Sequence, residues 1–200
     1  NSVAPGLGTA LGALIGGVMV HFLPAPTHFV YLFFAVAFVA QAAGVAFMAE
    51  TVSPRVGAWS SLKPQFSIPS VVRRPILLAV PILLAVWSIG GLYASLVPAL
   101  LRTVFGWDAS LQGGIALFLL AGSGTVAVLL LRRLPARAML KTGSAALLVG
   151  TTGIVAALAG HSAVGFLLGT LVAGAGFGVG FQGGMRTVLP LAAPHERAGV

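Results

Sequence analysis

The 200-residue sequence contains no cysteine, only three acidic residues, and few charges of either sign, at 7% of the chain. The lack of cysteine excludes disulfides, thiolate metal sites and cysteine nucleophiles. An ordinary soluble domain carries about 25% charged residues, so this chain lacks the side chains to cover a surface in water. With 58% hydrophobic residues, the composition instead predicts an integral membrane protein.

The charges that are present are mostly positive, with eleven Lys and Arg against three Asp and Glu and a formal net charge of +8. Such a balance can indicate nucleic-acid binding, but a nucleic-acid binder groups its cations on one face beside polar or aromatic residues. Here the cations lie in short breaks between apolar runs. The pattern therefore predicts the lipid bilayer, and not nucleic acid, as the partner.

Six apolar runs are long enough to cross a bilayer core, which takes about 20 helical residues. A backbone in hydrocarbon must satisfy its hydrogen bonds internally, so each run is a helix or a strand of a closed barrel. Barrel strands alternate in polarity over about ten residues, whereas these runs are apolar on both alternations. The sequence predicts an all-α membrane protein with six transmembrane helices, roughly at residues 6–23, 29–48, 76–100, 111–131, 138–159 and 163–184.

One break, residues 49–75, is much longer than the others and is rich in proline and serine, which is typical of an irregular connector. Every Lys and Arg except Arg102 lies in this connector, around the 132–137 break, or in the tail after residue 185. Cytoplasmic loops are enriched in Lys and Arg. These three segments are therefore predicted to face the cytoplasm, and the first helix to run outward.

The first run carries a helix-packing motif, in which Gly8, Gly12 and Gly16 share one face and Gly17 follows. Small residues at this spacing let helices in lipid pack closely, and packing alone is one interpretation. The motif also resembles the Gly-x-x-x-Gly-Pro-x-x-Gly-Gly pattern in the fifth helix of exporters of the major facilitator superfamily. Ala13 stands where that pattern has proline, so the kink that proline would impose is not required here.

Two further elements resemble the same family. Arg132, Arg133 and Arg137 form a cytoplasmic loop motif similar to the basic loop between helices eight and nine, without its usual aspartate, and Pro194 to Gly199 is similar to the Pro-x-Glu-x-x-Gly element after helix ten. The resemblance implies a fragment covering helices five to ten of a twelve-helix transporter with two pseudo-symmetric halves. Its parts would be the last two helices of the N-terminal half (1–48), a cytoplasmic connector (49–75), and the first four helices of the C-terminal half with the start of the next loop (76–200).

Trp87, Tyr93 and Gln182 are the predicted substrate-binding residues. Trp87 lies near the middle of its run, where an interfacial aromatic belt does not explain it well, and Gln182 lies on the glycine-rich sixth run. Trp87 and Tyr93 are six residues apart, about 120° around a helix, so they cannot face the same narrow stripe. Packing between helices is the alternative role for each. The dense glycines of the sixth run predict either close packing or a local unwinding that lines a cavity.

The resemblance implies alternating-access transport of a small molecule, and not an enzyme. Efflux of amphipathic or drug-like compounds by an antiporter in a prokaryotic inner membrane is the predicted function. A nutrient uptake carrier for a sugar or organic acid, and a six-helix channel, are the alternatives. No ionisable residue lies deep in a run, so a residue that couples transport to a proton is expected outside the chain. No metal or cofactor is predicted, and the serine–histidine pair Ser123 and His161 falls at different depths.

Overall fold

The structure, a computed structural model, describes residues 3–49, 70–107, 109–188 and 190. The described residues form seven α-helices: α1 (Val3–Phe22), α2 (Pro26–Ala46), α3 (Ser70–Ser95), α4 (Val97–Phe105), α5 (Ala109–Leu130), α6 (Ala136–Ala159) and α7 (Ala163–Val188). Six of them are long and apolar enough to cross a membrane, and α4 is the short exception. The prediction of an all-α protein with six transmembrane helices is confirmed.

The third apolar run differs from its prediction at both ends. Most of the predicted connector, residues 50–69, lies outside the described residues, but α3 already begins at Ser70, so residues 70–75 are helical. At the other end the helix breaks at Leu96, and α4 begins at Val97 with Pro98 in its first turn. Proline has no N–H to donate to the carbonyl four residues before it, so the run divides into two helices.

Residues in the left-handed backbone conformation mark the start of α2 and the end of α4. Ala25 adopts a left-handed conformation with φ 52° immediately before Pro26, which opens α2. Gly106 closes α4 with φ 67°, and its N–H donates to the Arg102 carbonyl. A residue without Cβ takes this conformation at little cost. Helix α4 packs against α5, with Pro98 beside Gly113, where an added Cβ would lie 3.0 Å from Pro98 Cγ.

Helix α7 is the centre of the packing, because it contacts α3, α5 and α6. The largest apolar cluster joins α3, α4, α5, α6 and α7 through residues such as Val86, Leu101, Leu120, Leu147 and Phe166. Helix α1 packs along α5, and α2 packs on α1 with no buried side chain in its membrane-length segment. Helices α3 to α7 therefore form one tightly packed group, to which α1 attaches through α5 and α2 attaches through α1.

The glycines of α7 allow close contact on two sides. An added Cβ on Gly178 would fall on the Gly124 backbone of α5, and one on Gly176 would lie 2.7 Å from Leu147 Cα of α6. Helix α7 is continuous from Ala163 to Val188, so the prediction of dense packing is confirmed and the alternative of local unwinding is wrong. The physical reason is that backbone atoms of both neighbours occupy the space that a side chain would need.

Candidate functional site

Trp87 lies on the outer side of α3, and 69% of its surface is exposed among the described helices. Its indole meets the Phe181 ring of α7 edge to face, with ring centroids 6.4 Å apart and an interplanar angle of 87°. Beside this pair α3 and α7 pack closely, since an added Cβ on Gly180 would lie 2.9 Å from Ile82 Cγ1. The pair therefore presents a broad aromatic surface at the edge of the α3–α7 contact.

Tyr93 faces into the packed helices and is 1% exposed. Its hydroxyl forms a 2.5 Å hydrogen bond with Thr170 Oγ1 of α7, and its ring stacks on Phe166 with centroids 6.4 Å apart. The expected angular separation of Trp87 and Tyr93 is thus observed. In this structure Tyr93 links α3 to α7, and its polar group already has a partner.

Gln182 is buried on α7. It follows Gly174 and Gly178 at four-residue spacing, which places it on the row of α7 that faces α5, and its side chain makes no hydrogen bond within the described residues. The structure does not bring the three predicted residues together. Trp87 lies at the surface of the described helices, Tyr93 is buried between α3 and α7, and Gln182 is buried on the α5 side of α7.

A separate groove of about 310 Å³ lies between α3 and α6. Its walls are mainly apolar, with Pro81 and Ile89 on one side and Leu147 on the other, and two hydroxyl residues, Ser144 and Thr151, lie along α6. Thr151 donates its hydroxyl to the Leu147 carbonyl of its own helix. None of the predicted substrate-binding residues lines this groove.

The helix-packing motif of α1 divides into two parts. Gly17 packs against α5, where an added Cβ would lie 3.0 Å from the Ser110 carbonyl oxygen and 3.1 Å from Gly114 Cα. At Gly8, Gly12 and Gly16 an added Cβ meets nothing within 4 Å among the described residues. The described contact uses a different row, which continues from Gly17 to the buried Ala10 and to Gly6 beside Thr125.

Sequence reasoning missed this second row, although the signal was available. Gly6, Ala10 and Gly17 are small residues at spacings of four and seven, which also lie on one helix face. The row of Gly8, Gly12 and Gly16 was predicted to be the packing face because all its members are glycine. Alanine serves equally well where the partner helix offers a glycine, as at Gly122 of α5, where an added Cβ would lie 4.0 Å from Ala10 Cβ.

The side chains of the cytoplasmic loop motif, Arg132, Arg133 and Arg137, are exposed. The turn that carries the first two is held by Arg186 of α7, whose Nη1 donates to the Arg132 carbonyl at 2.9 Å and to the Leu134 carbonyl at 3.5 Å. Carbonyls at a helix C-terminus lack partners within the helix, and a cation there is favoured by the helix dipole. Arg186 therefore fixes this loop, a role that the sequence did not indicate.

Catalytic and metal chemistry finds no support among the residues that the structure describes. Ser123 Oγ donates to the Leu120 carbonyl of its own helix, and His161 lies exposed in the turn between α6 and α7. Across residues 3–49, 70–107 and 109–188, no three His, Asp or Glu side chains come together where they could hold a metal ion. The hydroxyl of Ser123 therefore contributes to the structure of its own helix.

Comparison with known protein families decides the class of protein. The sequence model of the Major Facilitator Superfamily matches residues 1–200. The chain belongs to the major facilitator superfamily. No curated protein and no solved structure was similar enough to the chain to be matched. Membership of the superfamily and six apolar helices together make the chain a multi-pass integral membrane protein.

Proteins of the major facilitator superfamily are transporters and not enzymes, and they move small molecules across membranes. This confirms the resemblance that the glycine motif, the basic loop and the final Pro-x-Glu-x-x-Gly element indicated. The last of these elements lies outside the described residues. The match also favours a transporter over the six-helix channel.

Proposed function

We propose that the chain acts in the efflux of amphipathic or drug-like compounds by alternating access. The observation that carries this proposal is the Trp87–Phe181 pair, an aromatic surface on two neighbouring helices. Trp87 lies near the middle of its apolar run, and transporter sites are found near the bilayer midplane. Indole offers a broad apolar face and one N–H donor, which suits an amphipathic ligand.

The charges of the described spans support the same substrate class. Their Lys and Arg lie near helix ends, as with Arg73 and Arg74 on α3 and Arg186 on α7, and no acidic residue occurs in residues 3–49, 70–107 or 109–188. A strongly charged substrate needs a buried counter-charge, which these spans do not supply. A sugar or organic acid carrier would be expected to show more polar groups around the site.

Within the proposed site, Trp87 is the principal contact. Tyr93 and Gln182 were predicted alongside it, and both are buried. A ligand therefore reaches Tyr93 only if α3 and α7 move apart, and reaches Gln182 only if α5 and α7 move apart. Alternating access supplies such movements between packed helices. The proposal therefore separates Trp87, which a ligand meets in the arrangement seen here, from Tyr93 and Gln182, which it meets only after rearrangement.

The test replaces Trp87 in the full-length protein and measures transport as a function of substrate concentration. Trp87→Ala is expected to raise the apparent KM of an amphipathic substrate while the protein remains in the membrane, and Trp87→Phe to retain most of the affinity. Leu84→Ala is the matched control, because Leu84 lies about one turn away on α3 and is also exposed. Unchanged affinity in Trp87→Ala would make Trp87 a structural residue.

A direct binding measurement complements transport. A variant that retains Trp87 as its only tryptophan, with Trp59 and Trp107 replaced by Phe, should show a change in emission and in protection from an aqueous quencher when substrate binds. The same titration with Phe181→Ala is expected to give weaker binding. Saturating substrate that leaves the emission and the quenching unchanged would place the site elsewhere.

The direction of transport and its coupling to protons are measured in membrane vesicles of known orientation. In everted membrane vesicles an exporter concentrates its substrate inside, and an antiporter does so when a proton gradient is imposed. Single cysteines in this cysteine-free chain define the sides: Ser110→Cys should react with an impermeant thiol reagent on intact cells, and Arg137→Cys should not. Accumulation of a sugar or organic acid by whole cells instead would favour the uptake carrier.

A further inference from the structure

Four cations surround the turn between α5 and α6, and we name Arg132, Arg133, Arg137 and Lys141 the α5–α6 cation cluster. All four residues are exposed. Arg137 and Lys141 are four residues apart on α6, so their side chains lie one above the other on one helix face. The other two occupy consecutive positions of the turn, which places four positive charges within ten residues of chain.

The cluster has no counter-charge in the part of the chain that the structure describes. None of the four side chains makes a hydrogen bond or an ion pair there, and all three acidic residues of the sequence lie outside the described positions. Even if both acidic residues predicted on the same side of the membrane, Glu50 and Glu196, approached the cluster, two of the four charges would remain uncompensated. An anion of another kind is therefore the expected partner of the cluster.

The position of the cluster favours a lipid anion over a dissolved one. Helix α5 ends at Leu130 and α6 begins at Ala136, so the cations lie within about two helical turns of the apolar spans. Leu130, two residues before Arg132, is 76% exposed. A phospholipid with a negative headgroup matches both features, since its phosphate meets the cations while its acyl chains cover leucine side chains.

Arg186 prepares the turn for binding. It donates to the carbonyls of Arg132 and Leu134, and the Leu134 N–H donates to the Leu131 carbonyl at 2.9 Å. These bonds use the main chain of the turn, and the arginine side chains of the turn have no partner among the described residues. A turn that is already ordered loses less conformational entropy when it binds.

We propose that the α5–α6 cation cluster binds the phosphate of an anionic phospholipid headgroup. The site is independent of the transported substrate and lies away from Trp87, on the loop at the opposite end of α5 from Gly113 and Ser110. It requires only that α5 and α6 span the bilayer, so it holds for either direction of transport.

The experiment reconstitutes the full-length protein in phosphatidylcholine vesicles and compares a spin-labelled phosphatidylglycerol with spin-labelled phosphatidylcholine in the lipid shell around the protein. Wild-type protein is expected to select phosphatidylglycerol. Arg133→Gln combined with Arg137→Gln should reduce this selectivity by about fivefold for each cation removed. Arg133→Lys combined with Arg137→Lys keeps the charge and should retain most of the selectivity.

Arg73→Gln combined with Arg74→Gln is the matched control, because it removes the same charge from another membrane-edge segment, at the start of α3. Loss confined to the α5–α6 double variant supports the site. Equal loss in both double variants would show a general attraction of the basic protein for anionic lipid and would overturn the proposal. So would displacement of the labelled lipid by inorganic phosphate at constant ionic strength, because it would show a site for phosphate in general.

Discussion

Helices α1 and α7 both carry glycine at four-residue spacing, yet they use it differently. Glycines of α7 lie against backbone atoms of α5 and α6, whereas Gly8, Gly12 and Gly16 of α1 meet no atom of the described residues within 4 Å of an added Cβ. Helix α1 contacts α5 through a row that includes Gly17 and Ala10. Glycine spacing alone therefore does not identify the packing face, because that face also depends on what the neighbouring helix offers.

The comparison suggests two roles for glycine in this chain. In α7 it permits permanent close packing, and substitution should damage the folded state itself. In α1 the open row is available for contacts that form elsewhere in the protein or during the transport cycle, and substitution should damage transport first. Stability measured separately from transport can distinguish the two roles.

The largest effect on stability is expected at the α6–α7 contact. Gly150→Ala places a Cβ on the Ala173 backbone and should lower the free energy of unfolding by about 1–3 kcal/mol, the usual cost of overpacking. Gly153→Ala is the control on the same helix, because its Cβ would lie 3.9 Å from Gly169 Cα. It should stabilise the helix by up to about 1 kcal/mol.

Reversible unfolding of the full-length protein in mixed micelles, with increasing denaturing detergent, measures both values. The close contact of α7 with α6 predicts that Gly150 is the more sensitive of the two positions. Equal stability of Gly150→Ala and Gly153→Ala would mean that α6 and α7 are further apart than the structure shows.

The next effect is expected at the end of α7. Arg186→Ala removes two donated hydrogen bonds from the turn between α5 and α6, at a cost of about 1–2 kcal/mol for bonds from a charged group near the surface. Hydrogen exchange should become faster at the amides of residues 131–134. Arg133→Ala is the control, since that side chain has no partner among the described residues, and similar exchange in both variants would remove Arg186 from this role.

A smaller effect is expected where α7 meets α3. Tyr93→Phe removes the hydroxyl that bonds Thr170 and should lower stability by about 1 kcal/mol, while the stacking on Phe166 is retained. Tyr31→Phe is the matched control, because Tyr31 is exposed on α2. If Tyr93→Phe instead leaves stability unchanged and alters substrate affinity, Tyr93 belongs to the binding site and not to the α3–α7 contact.

The smallest effect on stability, but a complete loss of transport, is expected at the open row of α1. Gly12→Leu and Gly16→Leu should leave most of the protein folded and abolish transport, because a bulky side chain keeps apart helices that approach during the cycle. Ala13→Pro should be tolerated. Normal transport by both leucine variants would show that the row faces lipid.

Trp87 and Tyr93 show how much of the candidate site could be predicted from the sequence. The mid-run position of Trp87 and its separation from Tyr93 followed from helical periodicity, and both are seen in the structure. The partners of these residues, Phe181 for Trp87 and Thr170 for Tyr93, lie 94 and 77 residues further along the chain. No local pattern relates positions at such separations, so the contacts were not predictable from the sequence alone.

The sequence by itself determined the class, the number of spans and most of their ends, because about 20 apolar residues and the breaks between them are properties of consecutive residues. It also indicated the family, through motifs that are local. The tertiary structure decided which small-residue row of α1 packs on α5 and that Arg186 holds the α5–α6 turn. These features depend on which backbone atoms of distant helices come within a few ångströms of one another, and helical periodicity fixes a direction around the axis but not the neighbour that lies there.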